Sequence, residues 1–260
     1  MCCSDTVDPD SLLWQALKSR RTLRWEPPIT PGEFNFYELP TLLGKDNPVI
    51  LDIGSNDGGH TLGFLKLFKN PKIYAFEPDP RAQSRFRRNV QDDRVKLFEI
   101  AISSVDGETE FHMSNGLPSP DWEETLPQGW DMSGSIRNPK GHLDAYPWCT
   151  FDKSIKVQTN TLDKWCDQEG VKAIDLIWAD VQGAEVDLIM GGLEAFDKTR
   201  YFYTEYCDQE LYEGQISLRQ ILKLLPDFKV LSRFSTDVLL KNERWDESNH
   251  RHLEREQPYR

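Results

Sequence analysis

The sequence predicts an α/β fold: a doubly wound, mostly parallel sheet with an antiparallel strand pair at its carboxyl end. Three observations carry this. Short apolar, β-prone runs (VILDI, KIYAF, IDLIWADV, RYFYTEY) alternate with helical patterns, and that alternation implies parallel pairing. The first run ends in Asp52-Ile53 and turns at once through Gly54-Ser55-Asn56-Asp57-Gly58-Gly59 into a helical stretch, the layout of a ligand turn in an open sheet. FKVLSRF and DVLLKN, split by a short polar turn, read as the antiparallel pair.

Taken in order, residues 1–47 hold an amphipathic helix from Asp10 to about Arg24 and a connector punctuated by Pro27, Pro28 and Pro31. The main domain spans 48–242. It opens with VILDI as a buried strand, a helix around Thr61 to Phe68, KIYAF as a second strand and a helix from Pro80 to Asn89. Arg81, Arg85, Arg87 and Arg88 on that helix read as a solvated outer face. The segment Val95 to Met113 reads as strand, Asp106-Gly107 turn, strand, since Asp-Gly between β-prone runs is a hairpin signal.

From about 114 to 155 periodicity disappears, while Pro118, Pro120, Pro127, Pro139 and Pro147 accumulate beside Trp122, Trp130 and Trp148. A loop of that length in a compact domain is usually functional or disordered, and disorder needs no tryptophans. We read it as a lid or substrate-facing insertion, with an excursion packing its own aromatics as the alternative. Strand–helix alternation then resumes: KVQTNTL, a short helix through Trp165, IDLIWADV, AEVDLIMGGLEAF as one helix, RYFYTEY, and ISLRQILKLL as a helix. Residues 243–260 form a charged tail.

A chain of 260 residues, 38% hydrophobic and 11% aromatic, is ample for one packed core. The net charge of -12 disfavours nucleic acid as the principal partner, because that affinity rests on clustered Lys and Arg. Five cysteines without a C-x-x-C pair suggest reduced thiols rather than a disulfide framework or zinc site. The first residues are polar where a signal peptide is apolar, and no segment reaches the roughly 20 apolar residues of a membrane span. The expectation is a soluble, cytoplasmic protein; its oligomeric state is not legible.

The glycine turn excludes two familiar ligands. A phosphate-binding P-loop ends in Gly-Lys-Ser/Thr and a dinucleotide turn reads G-x-G-x-x-G, whereas this one reads G-S-N-D-G-G. A carboxylate at Asp52 repels pyrophosphate but suits an ammonium and a sulfonium, the charge pattern of S-adenosylmethionine. KIYAF leads into Glu77-Pro78, where an acid can accept hydrogen bonds from both ribose hydroxyls. Asp180, following the apolar strand Ile174 to Trp178, is a carboxylate held at the crevice, or alternatively a cap for the next helix.

These segments resemble the FkbM family of S-adenosylmethionine-dependent methyltransferases. The resemblance rests on Asp52-Ile53-Gly54-Ser55-Asn56-Asp57-Gly58 with Thr61, Ala75-Phe76-Glu77-Pro78-Asp79-Pro80, Ala101-Ile102-Ser103, Thr161-Leu162-Asp163, and Asp180-Val181-Gln182-Gly183-Ala184-Glu185, over roughly residues 48 to 206. It implies a Rossmann-like, seven-stranded class I methyltransferase fold and methyl transfer to a hydroxyl of a sugar or other small natural product. It also implies that Asp52, Gly54, Ser55, Asn56, Gly58 and Thr61 surround the methionine and ribose portion, Glu77 and Pro78 the ribose, and Ile100 and Ala101 the adenine, with Asp180 facing the transfer site. Two positions depart from the family pattern, which commonly has Glu at Gln182 and Lys near Trp178.

A hydroxyl is a weak nucleophile, so a positioned base accepting its proton helps. Asp180 and Glu205 are favoured, since both follow strands at the crevice; Glu185, His60 and His112 are further candidates. No Asp-rich ligand set suggests a metal. Nitrogen methylation, a non-catalytic cofactor-binding protein and a nicotinamide-dependent oxidoreductase are the alternatives.

Overall fold

The computed structural model describes residues 28–124, 126 and 128–245. The expected helix between Asp10 and Arg24, and the tail beyond 245, lie outside the described residues.

A seven-stranded sheet forms the centre. Its strands are β1 (Val49–Ile53), β2 (Lys72–Phe76), β3 (Val95–Phe98), β7 (Ile174–Ala179), β8 (Thr199–Glu205), β9 (Phe228–Arg233) and β10 (Asp237–Asn242), in the order β3-β2-β1-β7-β8-β10-β9. All neighbours are parallel except β10, which runs antiparallel to both β8 and β9. The chain winds one way from β1 and then the other, so the carboxyl ends of β1 and β7 meet at the switch point. Crevices of open sheets form there.

Helices cover both faces. On one lie α1 (Leu39–Leu43) and α2 (Gly59–Leu67), packed through Leu39, Phe64, Trp178 and Tyr203. On the other, α5 (Leu162–Glu169) sets Trp165 edge-on to Tyr74 and Phe76, with ring centroids 4.9 and 4.8 Å apart. The second face also carries α6 (Glu185–Met190), α7 (Leu193–Asp197) and α8 (Leu218–Leu224), the last begun by a Ser217–Gln220 capping box. The fold class expected from the alternation is the one observed; α3 (Pro80–Asn89) has the expected bounds, with Asp79 capping Arg81 N at 2.8 Å.

Three local expectations are corrected. Asp106-Gly107 is not a hairpin: β4 (Ala101–Ile102) and β5 (Gly107–Gly116) both pair with the long β6 (Cys149–Asn160) and lie on opposite sides of it. Instead of closing a two-residue turn, Asp106 accepts from Thr161 N at 2.9 Å and pairs with Lys164. The helix read through AEVDLIMGGLEAF is two, α6 and α7, broken at Gly191-Gly192. A side chain at Gly191 would collide with the Ser103 carbonyl, so the close approach of β4's end, rather than helix propensity, sets the break. Finally, the arginine face of α3 is divided. Arg81 reaches Asp79 and the Ser114 carbonyl of β5, and Arg85 pairs with the buried Asp131 of the insertion, so neither lies on a solvated outer face.

The insertion is shorter than the sequence suggests, because β5 and β6 extend into it and leave 117–148, with the short α4 (Gly141–Ala145), as their connection. It packs its own aromatics, with Trp130 edge-on to Trp122 and Trp148 at 6.0 and 5.1 Å. It also sends residues 131–136 over the switch-point crevice.

Candidate functional site

The turn after β1 is shaped by contacts beneath it. Gly54 has φ +83°, and a Cβ there would collide with the Asp180 carbonyl, so only glycine lets the two strand ends lie so close. Gly54 N and Ser55 N both donate to the Phe76 carbonyl, at 2.9 and 3.0 Å. Asp52 and Thr61 bond each other at 2.5 Å beneath the turn, and Gly58 starts α2 against Val90 and Phe86. None of these three lines the crevice. Asp52 is 1% exposed, and burial raises its pKa. The sequence suggests that this carboxylate meets a cationic ligand; in the structure it lies beneath the turn, bonded to Thr61 of α2.

Glu77 occupies the position the sequence suggested. Its Oε2 accepts from Asn56 N at 2.8 Å and its Oε1 from Asp79 N at 2.7 Å. The two amides fix the carboxylate's plane while burial, leaving it 5% exposed, pushes its pKa up to about 8.

Around this edge runs a cleft of about 270 Å³. Gly54, Ser55 and Asn56 form one side, Glu77 and Pro78 an end, and Ile100, Ala101, Phe111 and Ile136 an apolar slot. Asp180, Val181 and Gln182 close the far end. The insertion supplies Asp131, which no local sequence pattern marks. Asp131 is 3% exposed and accepts from Arg85 at 2.5 and 2.9 Å; the same guanidinium reaches Asn56 Oδ1 at 2.9 Å. One arginine thereby ties turn, helix and insertion together across the cleft.

Beyond Asp180 stand more acids. Gln182, at φ +49°, donates to Asp180 Oδ1 at 2.5 Å and Glu205 Oε2 at 3.3 Å. The Tyr212 hydroxyl stands 3.0 Å from Gln182 Oε1 and donates to the Ser133 carbonyl at 2.8 Å. Burial raises the pKa of Asp180. The nearby Asp180 charge, reinforced by burial and Asp237, pushes Glu205 up to about 9. Glu185 is turned inward rather than outward: buried, it accepts from Gly183 N at 3.3 Å, and burial pushes it up to about 7. It lines neither the cleft nor the cavity beyond Asp180. His112 does not line the cleft and is bonded through Nδ1 to Ser154 at 3.0 Å, whereas His60 borders the cleft.

A pH dependence follows. Glu77, Glu185 and Glu205 are all raised from about 4.5, so the folded protein holds protons that the unfolded chain releases. Their stabilising contribution is complete below about 4.5 and is lost as pH rises through about 7 to 9. Thermal unfolding without ligand is expected to give a lower Tm at pH 9 than at pH 6, at constant ionic strength; an equal or higher Tm at pH 9 contradicts this.

Comparison with known proteins places these features in context. The model of the family described as Methyltransferase FkbM domain matches residues 52–233. Over 210 residues, 79% of this chain and 84% of the relative, the sequence is 52% identical to the 2-O-methyltransferase NoeI of Sinorhizobium fredii. It is 24% identical over 167 residues to Methyltransferase 1 of Beauveria bassiana, covering 64% of this chain and 67% of that protein. Among solved structures, a methyltransferase FkbM from Methylobacillus flagellatus KT aligns with a TM-score of 0.48 and 15% identity over 80% of this chain. The aligned part is 48% of that chain, so this sequence spans about half its length.

Proposed function

The chain belongs to the FkbM methyltransferase family, and on that premise we propose that it transfers a methyl group from S-adenosylmethionine to a hydroxyl of a sugar or another small natural product. The observation that carries this is Asp180's position between two spaces. One is the cleft ending at Glu77; the other is a second cavity bordered by Glu205. The 52% identical relative, named a 2-O-methyltransferase, supports a hydroxyl as the atom methylated.

The residues of the cleft fit such a donor. An apolar slot beside a rigidly held carboxylate suits a purine joined to a diol. Glu77 takes the two ribose hydroxyls, while Ile100, Ala101 and Phe111 enclose the base. Gly54, Ser55 and Asn56 form the backbone edge for the amino-acid end, and Asp131 and Arg85 close the insertion over it. When bound, the donor supplies a methyl on a positively charged sulfur with its leaving group already built in.

The protein's remaining task is alignment, holding an acceptor oxygen about 3 Å behind that carbon, and removal of the oxygen's proton. Asp180, bordering both spaces, receives the proton, and Glu205 shares it. Two acids linked through one Gln182 amide titrate as a pair, and the proton one takes stabilises the other. The reading includes a metal-independent cytoplasmic enzyme that acts without nucleic acid; the net charge of -12 supports the last point. Among the described residues, no helix is long and apolar enough to cross a membrane.

Incubation with methyl-labelled S-adenosylmethionine and a panel of hydroxylated acceptors tests the proposal. The expected product is an O-methyl ether. Label found only on nitrogen, or on no acceptor while the donor binds, contradicts it.

A further inference from the structure

The second cavity, about 450 Å³, lies across Asp180 and His60 from the donor cleft and shares Gly59 with it. No insertion residue lines it. Its walls come from the connector before α1, from the ends of β7 and β8, and from the turn entering β10. The connector contributes Phe34 and Phe36, which pack with Trp178 and Tyr203 into one aromatic wall. Phe34 lies 5.7 Å from Tyr203, Phe36 lies 5.5 Å from Trp178, and the Trp178 and Tyr203 rings stack at 3.8 Å.

The polar side of the cavity is acidic. Asp180, Glu205, Asp237 and Glu33 border it; among its described lining residues there is no lysine or arginine, and His60 is the one basic side chain. Several of these acids hold their protons or already have donors. Glu205 is raised to about 9 by Asp180, while burial raises Asp237, which bonds Thr236 at 2.8 Å and the Tyr203 hydroxyl. The lining thus presents carboxyl groups that accept or share hydrogen bonds, rather than an unrelieved block of negative charge. An anion entering it would face Asp180, Glu205, Asp237 and Glu33 with His60 as the one basic neighbour, and would lose its hydration.

We propose that this cavity is the acceptor site, and that it takes a neutral, polyhydroxylated ring whose apolar face lies on the Phe34–Phe36–Trp178–Tyr203 wall and whose hydroxyls bond Asp237, Glu205 and Asp180. The proposal rests on the transferase reading above. It goes further by excluding phosphorylated and carboxylated acceptors, and by assigning selectivity to the connector and the β10 turn rather than to the insertion. Aromatic faces beneath a ring's C–H groups, with carboxyl oxygens at its rim, recognise a sugar without requiring charge.

Binding to the protein loaded with S-adenosylhomocysteine tests this without requiring transfer. Tryptophan fluorescence, which Trp178 reports, would be titrated with methyl hexosides, their 6-phosphates, the matching methyl uronates and 2-amino sugars. At least one neutral glycoside is expected to bind, with its phosphate and uronate weaker by about tenfold or more, on the order of 1.4 kcal/mol. Phe36→Ala and, as a variant that spares the aromatic packing, Asp237→Asn are each expected to weaken the neutral glycoside severalfold while leaving S-adenosylhomocysteine affinity unchanged. Equal binding of the phosphates, preference for the amino sugars, absence of binding by every neutral glycoside, or insensitivity to both substitutions would each overturn the assignment. Failure of methyl transfer with glycoside binding intact would instead count against the transferase reading.

Discussion

Asp180→Asn is expected to lower turnover by about 100-fold or more, the typical contribution of a positioned base, while donor affinity changes little and Tm holds or rises. The last expectation follows from the site's repulsion. Asp180 is the leading cause of Glu205's raised pKa, so neutralising it relieves an unfavourable pair. The Asn side-chain oxygen can still accept from the Gln182 amide that Asp180 binds at 2.5 Å, so the local hydrogen bond survives. A residue that merely held the turn would lose stability and activity together. Steady-state kinetics, calorimetry of S-adenosylhomocysteine binding and thermal unfolding on the same preparation separate the two roles. Parallel losses in Tm and turnover would make Asp180 a structural residue.

Glu77→Ala is the second large effect, acting on affinity rather than rate. Removing a buried carboxylate that accepts from the ribose should weaken donor binding by roughly 1–3 kcal/mol, on the order of 5- to 150-fold. The same substitution strands Asn56 N and Asp79 N, so a modest fall in Tm is expected as well. Glu77→Gln keeps an oxygen for one of those amides but turns an NH2 donor toward the other, and is expected to recover part of the lost Tm and part of the lost affinity. Affinity that survives in both variants would remove Glu77 from the ribose, and affinity that tracks Tm alone would assign it to the fold.

What was legible in the sequence was local. The β1 turn, the Phe76-Glu77-Pro78 end of the second strand and Asp180 after a run of apolar residues each announce themselves within a few positions. The doubly wound, mostly parallel class follows because alternation leaves few right-handed connections. What could not be read depends on distant partners. Asp131 matters through Arg85, 46 residues away, from inside a segment without periodicity, and the same distance hides the inward turn of Arg85. The Asp106-Gly107 hairpin signal was overridden because β6, lying between β4 and β5 in the sheet, takes both as partners. Phe34 and Phe36 looked like connector residues, and Asp237 like the start of an edge pair. Only the folded sheet brings them to Trp178.

Gln182 shows how a departure from a family pattern reads differently once its neighbours are seen. An amide donates to both Asp180 and Glu205, and its oxygen faces the Tyr212 hydroxyl. A carboxylate in its place would have no hydrogen to donate and would add a further like charge.

The most direct measurement is a crystal structure with S-adenosylhomocysteine bound. The ribose hydroxyls are expected on Glu77, the purine between Ile100, Ala101 and Phe111, and the sulfur aimed past Asp180 into the cavity bordered by Phe36 and Asp237. A ribose away from Glu77, or a sulfur turned from Asp180 toward the insertion, would contradict both the donor cleft and the direction of transfer.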